Sequence, residues 1–393
     1  MLIKQFKTEE EFRHFLKSKG VNVRFTEKLA PKSSFLSIFF EGYEQYESEI
    51  LQASKASCTD FIKLETGFLL IGTRENINTF CSLVVKSHKD LAFKILNTIS
   101  NYRKLHFRLE YNKKLLNLGL KTAIMGVINL TPDSFSDGGL IKTAEDALKR
   151  AEQILEEGAD IIDLGAESTR PNSKRIDAKE ELSRLIKPLE LIRKNFPNVW
   201  ISVDTYKSEV AKQALESGAD IINDVTGGVF DEKIYQVVSS YACPYIIGHI
   251  RGRPETWLTD PPVYEDVVYE VISDLELRLS YLKESGYKGL AIIDPGIGFG
   301  KGPLENLTIL RRFSELRVFG LPTMVGVSRK SFLGFFLKGL LGREYQPKER
   351  LSAGLGAIAN AVMEGCHIVR THDVAKTREF LALLDCVKTC YGA

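Results

Sequence analysis

From residue 122 onward the sequence alternates, eight times, a short apolar run rich in β-formers with a longer segment of helical periodicity. The runs fall at 123–129, 160–165, 199–204, 219–224, 244–248, 289–294, 323–327 and 366–371, and periodic segments such as 144–157, 178–196, 208–217, 263–285 and 348–364 lie between them. Two helices end alike, in EEGADII at 156–162 and ESGADII at 216–222, where a Gly closes the helix and Ala-Asp leads into the next strand. Eight such units over about 270 residues fit an α/β fold of one kind, a parallel (β/α)8 TIM barrel, better than an open doubly wound sheet. In a barrel every loop that leaves a strand's C-terminus converges on one face, so polar residues at strand ends are the functional candidates.

The first 117 residues have a different texture, with 19 Lys/Arg against 13 Asp/Glu up to Leu120 and 34 against 38 beyond it. Strands are expected at 34–40 and 61–72, and helices at 43–57, 75–87, 90–102 and after Thr8, where Thr-Glu-Glu-Glu suits a capping box. The division is therefore a small α/β or α+β N-terminal domain over 1–117, joined by a linker at 111–119 to a barrel domain over 118–393. No nucleotide loop, metal cluster or nucleophile constellation occurs in the N-terminal part, which reads as a folded extension bracing the main domain rather than a partner-binding module.

A net charge of +2 argues against nucleic acid or a membrane surface as partner. With no apolar run of about 18 residues and no basic-then-apolar leader, a soluble cytoplasmic protein is expected. The six cysteines show no CxxC spacing; Cys386 and Cys390, one turn apart on an apolar C-terminal helix, read as buried thiols and not metal ligands.

The strand ends carry the chemistry. The first strand opens MGVINLTPDSFSDGG (125–139), in which Asn129 follows four apolar residues and a loop bearing Asp133 and Asp137 comes after it. An amide beside carboxylates can complete an oxygen shell for Mg2+ whose charge is met by substrate phosphates; an Asx-turn loop without a ligand is the alternative. The second loop, ESTRP, fixes Arg170 next to a proline, and its guanidinium suits phosphate oxygens. Asp204, Asn223-Asp224 and Asp294 end the third, fourth and sixth strands. Such acceptors repel one another unless a ligand brings donors, as an amino group beside a ring N–H in a flat heterocycle would. The Gly296–Gly300 run is a weak dinucleotide fingerprint, better read as letting the backbone approach a flat ligand. The last two strands end in Ser328-Arg329-Lys330-Ser331 and Arg370-Thr371-His372-Asp373, the usual phosphate corner of this barrel. A mouth with an acidic pole for donors and a basic pole for anions results.

In order, MGVINLTPDSFSDGG, DLGAESTRP, VDT, IND, DPGIGFGK, SRKSFLG and VRTHDV, spread over about 123–384, resemble the dihydropteroate synthases of the pterin-binding barrel family. That resemblance implies a transferase of folate biosynthesis, a sulfonamide target, which joins 6-hydroxymethyl-7,8-dihydropterin diphosphate to 4-aminobenzoate and releases pyrophosphate. It places Asp204, Asn223, Asp294, Lys330 and Arg370 around the pterin, and Asn129, Arg170, Arg370 and His372 on the diphosphate, with Asn129 as the protein ligand to Mg2+. It puts Phe135, Thr169, Pro171, Phe299, Ser328 and Lys330 along the aminobenzoate slot, names Asp137, Arg170 and Lys330 as catalytic, and implies a homodimer.

The sequence departs from the family pattern at Ala166, Asn172 and Ile247-Gly248, none of which carries charge chemistry. Two rival readings remain. A methyltetrahydrofolate-to-corrinoid methyltransferase shares the pterin-binding Asp and Asn but has no use for the phosphate corner. A barrel that binds pterin without catalysis has no use for Asp137 and Arg170. A fused diphosphate-transferring kinase is not expected, because the N-terminal part lacks a paired-aspartate metal motif.

Overall fold

The computed structural model of the protein describes residues 1–4, 9–19, 21, 35–131, 143–168, 175–257 and 261–389, apart from the side chains of His14 and Ser18. Two compact units result: Met1–Lys104 with Arg317–Gly320, and Leu105–Leu316 with Leu321–Ala393.

The first unit contains β1 (Leu2–Lys4), α1 (Glu9–Ser18), β2 (Leu36–Phe40), α2 (Glu47–Ala56), β3 (Asp60–Leu64), β4 (Gly67–Gly72), α3 (Arg74–Val84) and α4 (Lys89–Arg103). Its antiparallel sheet runs β1-β2-β4-β3, and β4 is buried along its whole length. The single run read at 61–72 is a hairpin, because Gly67 takes φ +100 at the turn, where a Cβ would lie 2.5 Å from the Phe40 carbonyl oxygen. Thr73 caps α3 by accepting the Asn76 N–H at 3.2 Å.

The segment 111–119 is no linker. It belongs to an antiparallel hairpin, β5 (Phe107–Tyr111) and β6 (Lys114–Leu118), turned by Asn112 and Lys113 at φ +48 and +63, and the division between units falls after Lys104 rather than after 117. Phe107, Leu109 and Leu118 are buried with the lowest inward side chains of the barrel, among them Met125, Trp200 and Met324, so the hairpin stoppers its floor. Lys114 Nζ anchors it on both Asp220 oxygens, at 2.8 and 2.7 Å.

The barrel follows as β7 (Ala123–Asn129), α5 (Ala144–Glu156), β8 (Ile161–Gly165), α6 (Ala178–Asn195), β9 (Trp200–Asp204), α7 (Ser208–Glu216), β10 (Ile221–Asp224), α8 (Ile234–Tyr241), β11 (Tyr245–Gly248), α9 (Val267–Glu284), β12 (Ala291–Asp294), α10 (Pro303–Arg311), β13 (Met324–Val325), α11 (Ser331–Leu341), α12 (Leu351–Met363), β14 (Ile368–Thr371) and α13 (Val374–Thr389). All eight strands are parallel in the order β12-β11-β10-β9-β8-β7-β14-β13, and a parallel bridge between Ile293 and Thr323 joins the two ends. Each lies within two residues of its expected place, since β-branched runs bounded by Gly and polar residues leave little choice.

Strand alternation then fixes the mouth. Met125, Ile161, Trp200, Ile221, Ile292 and Ile368 form the inward floor, so residues two or four further along each strand face inward at higher levels. Those residues are Asn129, Asp163, Asp204, Asn223, Asp294 and Arg370. At the other end of the chain, Cys386 is exposed, not buried: α13 turns Val374, Thr377 and Leu381 inward, and Cys386 lies off that stripe. Cys390 lies outside the described residues. Among the described residues no helix is long and apolar enough to cross a membrane.

Candidate active site

The centre of the mouth is Arg370, delivered by β14. Its Nε donates to Asp163 at 2.7 Å and its Nη2 to Asp204 at 2.7 Å. Asn223 donates through Nδ2 to the Asp163 oxygens at 3.4 and 3.5 Å, while its buried Oδ1 has no partner among the described residues. A buried acceptor left open costs free energy unless a bound molecule completes it. Burial raises the Asp204 carboxyl to about 7, opposed by Arg370 and reinforced by Asp163 and Glu181. Burial pulls the Arg370 guanidinium down, but Asp163 and Asp204 more than offset it, and the group remains firmly charged.

Asp294 and Lys330 form the adjoining wall. Asp294 accepts the Gly296 N–H at 2.8 Å, and burial raises its pKa against the pull of Lys330. Lys330 bonds the Ile297 carbonyl and lies 4.4 Å from the centre of the Phe299 ring; burial lowers its ammonium to about 8, with Asp294 resisting. The glycine run between them is needed for a reason other than ligand approach. Gly296 and Gly300 have φ +66 and +65, and a Cβ would sit 1.8 Å from the His249 carbonyl oxygen and 2.0 Å from that of Arg251. The loop is pressed onto its own neighbouring strand end.

The phosphate corner is narrower than the sequence implied. Arg329, with φ +61, turns away and grips Asp373 through Nε at 3.2 Å and Nη2 at 2.6 Å. Arg370 pairs with the acidic side chains instead of standing opposite them, so the two poles meet at its guanidinium. Ser328 and His372 remain, bonded to each other at 3.1 Å through Oγ and Nδ1. The Asn129 Oδ1 lies 3.9 Å from a Cβ placed on Gly165, the same distance as Asp204 Oδ2, which sets this amide oxygen at the mouth. Asp224 does not join the site: it points between β10 and β11, and accepts from Thr226 and Gly228 N–H groups and the Tyr245 hydroxyl at 2.7–2.8 Å.

Asp137, Phe135, Arg170, Thr169 and Pro171, with Asp133 and Asn172, lie outside the described residues. Asp163 was missed in the sequence; its signal was a carboxylate in the middle of an otherwise apolar strand, Ile-Ile-Asp-Leu-Gly. Among the described residues no cluster of three His, Cys, Asp or Glu side chains could hold a metal unaided.

The barrel is closed and parallel, with buried acceptors around one arginine at its mouth, and residues 125–372 match the family described as pterin binding enzyme, to which this chain belongs. It is 39% identical over 280 residues to the dihydropteroate synthase of Synechocystis, covering 70% of this chain and 94% of that protein. The Yersinia pestis dihydropteroate synthase, solved with a sulfonamide drug, superposes with a TM-score of 0.66 at 32% identity over 72% of this chain and 100% of its own. The Xanthomonas albilineans enzyme with 4-aminobenzoic acid gives 0.64 at 35% identity, over 72% and 98%. Within the family, the chain is a transferase of the dihydropteroate synthase type, at work in folate biosynthesis.

Proposed function

We propose that the chain joins 6-hydroxymethyl-7,8-dihydropterin diphosphate to 4-aminobenzoate, giving 7,8-dihydropteroate and pyrophosphate. The observation that carries this reading is the open, buried Asn223 Oδ1 beside the Asp163–Arg370–Asp204 array, an acceptor site for the N–H edge of a flat heterocycle. Asp204, Asn223, Asp294 and Lys330 hold the pterin edges, and Arg370 packs on its face. Arg170 and His372 take the diphosphate, and Phe135, Thr169, Pro171, Phe299 and Ser328 line the aminobenzoate slot.

The C–O bond to the diphosphate breaks first, its electron pair leaving with pyrophosphate, and the exocyclic carbon becomes a cation delocalised over the electron-rich ring. The neutral aryl amine then forms the C–N bond and loses one proton. Asp137 stabilises the cation and takes that proton. Asn129 Oδ1, an oxygen donor at the mouth, would hold Mg2+, which would offset the charge of the departing group.

The N-terminal unit acts as a folded extension without chemistry of its own. Exposed Phe335, Leu341 and Met363 on α11 and α12 support pairing with a second copy, and the protein works in the cytoplasm. The test is pyrophosphate release by the full chain with both substrates, Mg2+ present, and product of dihydropteroate mass. No pyrophosphate release with both substrates present, or methyl transfer from methyltetrahydrofolate to a corrinoid protein instead, overturns the proposal.

A further inference from the structure

Beneath the Gly296–Gly300 loop lies a part-buried lysine to which the chemistry above gives no task. Lys301 Nζ is 3.0 Å from the Gly296 carbonyl oxygen, 3.1 Å from that of Phe299 and 2.8 Å from His249 Nδ1. An ammonium only donates, so Nδ1 is the acceptor and the ring's proton resides on Nε2. That Nε2 faces Asp274 Oδ2 at 3.0 Å, and Arg251 Nη2 donates to the same oxygen at 3.0 Å. Burial presses both the Lys301 ammonium and the His249 imidazolium down.

The chain runs from a surface carboxylate, 37% exposed, to two carbonyls under the loop that presents Phe299. His249 is fully buried, and its backbone N–H donates to the Asp294 carbonyl at 3.1 Å. Arg278 fixes its neighbours, donating to the Gly248 and Ile250 carbonyls at 2.6 and 3.0 Å. With Lys301 pulling the Gly296 and Phe299 carbonyls downward, the Ile297 carbonyl is left to face Lys330 and the Phe299 ring stands under that ammonium. Without Lys301, the Gly296, Phe299 and His249 carbonyls and Nδ1 lose their donor together.

We propose that Asp274, His249 and Lys301 form one positioning chain that sets the height of the Phe299 wall and thereby selects 4-aminobenzoate. The inference rests on the reading of Phe299 as part of the aminobenzoate slot. None of the three residues needs to touch either substrate.

The experiment compares Asp274→Asn, Lys301→Met and the double variant in the full chain, measuring KM for each substrate, kcat, and the thermal midpoint. Asp274→Asn alters a half-exposed side chain and leaves folding intact. It is expected to raise KM for 4-aminobenzoate three- to tenfold while KM for the pterin diphosphate moves less than twofold. Lys301→Met is expected to raise it further, and the double variant no more than Lys301→Met alone, since one chain is broken twice. Unchanged aminobenzoate KM in Asp274→Asn, or equal rises for both substrates, overturns the inference while the parent protein still releases pyrophosphate. A parent protein that releases none tells against the function itself.

Discussion

Arg370 and Asp163 are bonded at 2.7 Å across the barrel interior, although 207 positions separate them in the chain. The carboxylate has no access to solvent, and it receives both the guanidinium and Asn223. Paired in this way, neither charge pays the full cost of leaving water, and the arginine is aimed before any ligand arrives.

Asp163→Leu should therefore leave Arg370 with Asp204 alone. We expect a loss of about 2–3 kcal/mol in urea unfolding, less than for a wholly orphaned buried charge because one partner stays. Asp163→Asn should keep most of that stability yet lower kcat/KM for the pterin at least tenfold. Wild-type kinetics in Asp163→Asn would exclude a role in aiming Arg370.

The carboxyl of Asp204 and the ammonium of Lys330 should shape the pH profile of kcat/KM for the pterin diphosphate. An ionised Asp204 accepts a pterin N–H more strongly than the protonated carboxyl does, so binding selects deprotonated Asp204 and the rate rises with pH up to about 7. An anionic substrate requires the protonated amine, so the rate falls above about 8. Asp204→Asn should remove the acid limb and Lys330→Arg the alkaline one. An acid limb that persists in Asp204→Asn assigns it to another group.

Gly298 takes φ +81, and a Cβ there would meet the Lys330 side chain at 3.0 Å. Gly298→Ala should cost about 1–2 kcal/mol in backbone strain and displace Lys330 from the Phe299 ring. Both substrates should bind more weakly, with the thermal midpoint lowered by a few degrees. Full activity with unchanged stability would mean that the loop relaxes freely.

At the opposite end of the barrel, Lys114→Met should uncouple fold from chemistry. It strips one partner from Asp220, which is 1% exposed but keeps Arg193 at 2.6 Å. The expected cost is about 1–3 kcal/mol, below that of a fully unpaired buried charge. Because the hairpin is remote from the mouth, kcat at saturating substrate should stay within a factor of two.

For the first loop, Asp137→Asn should lower kcat more than pterin affinity, as befits a group acting on the cation and the leaving proton. Equal losses in kcat and in directly measured pterin binding would refute that assignment.

The eight strands were legible because apolar β-branched runs and helical periodicity alternate, and because a barrel sends strand ends to a common mouth. That route places Asp204, Asn223, Asp294, Lys330 and Arg370 at one mouth, where the structure also has them. The pairing among them was not, since β8 and β14 become second neighbours only when the sheet closes around β7. Asn223 and Asp224 looked equivalent as a polar pair; period-two alternation from Ile221 turns one inward and the other between strands. The floor hairpin escaped notice because its partners, such as Trp200 and Met324, lie far along the chain.

Since β14 supplies the arginine and joins β7 to β13, the acceptor cluster stays incomplete while the chain is being synthesised. Until the final fifth of the sequence has emerged and wrapped round, Asp163 and Asp204 have no counter-charge, and the ribosome-bound fragment has nowhere to seat a pterin. The site is thus complete only when the barrel is, so a ligand that binds it stabilises the finished fold over any shorter one.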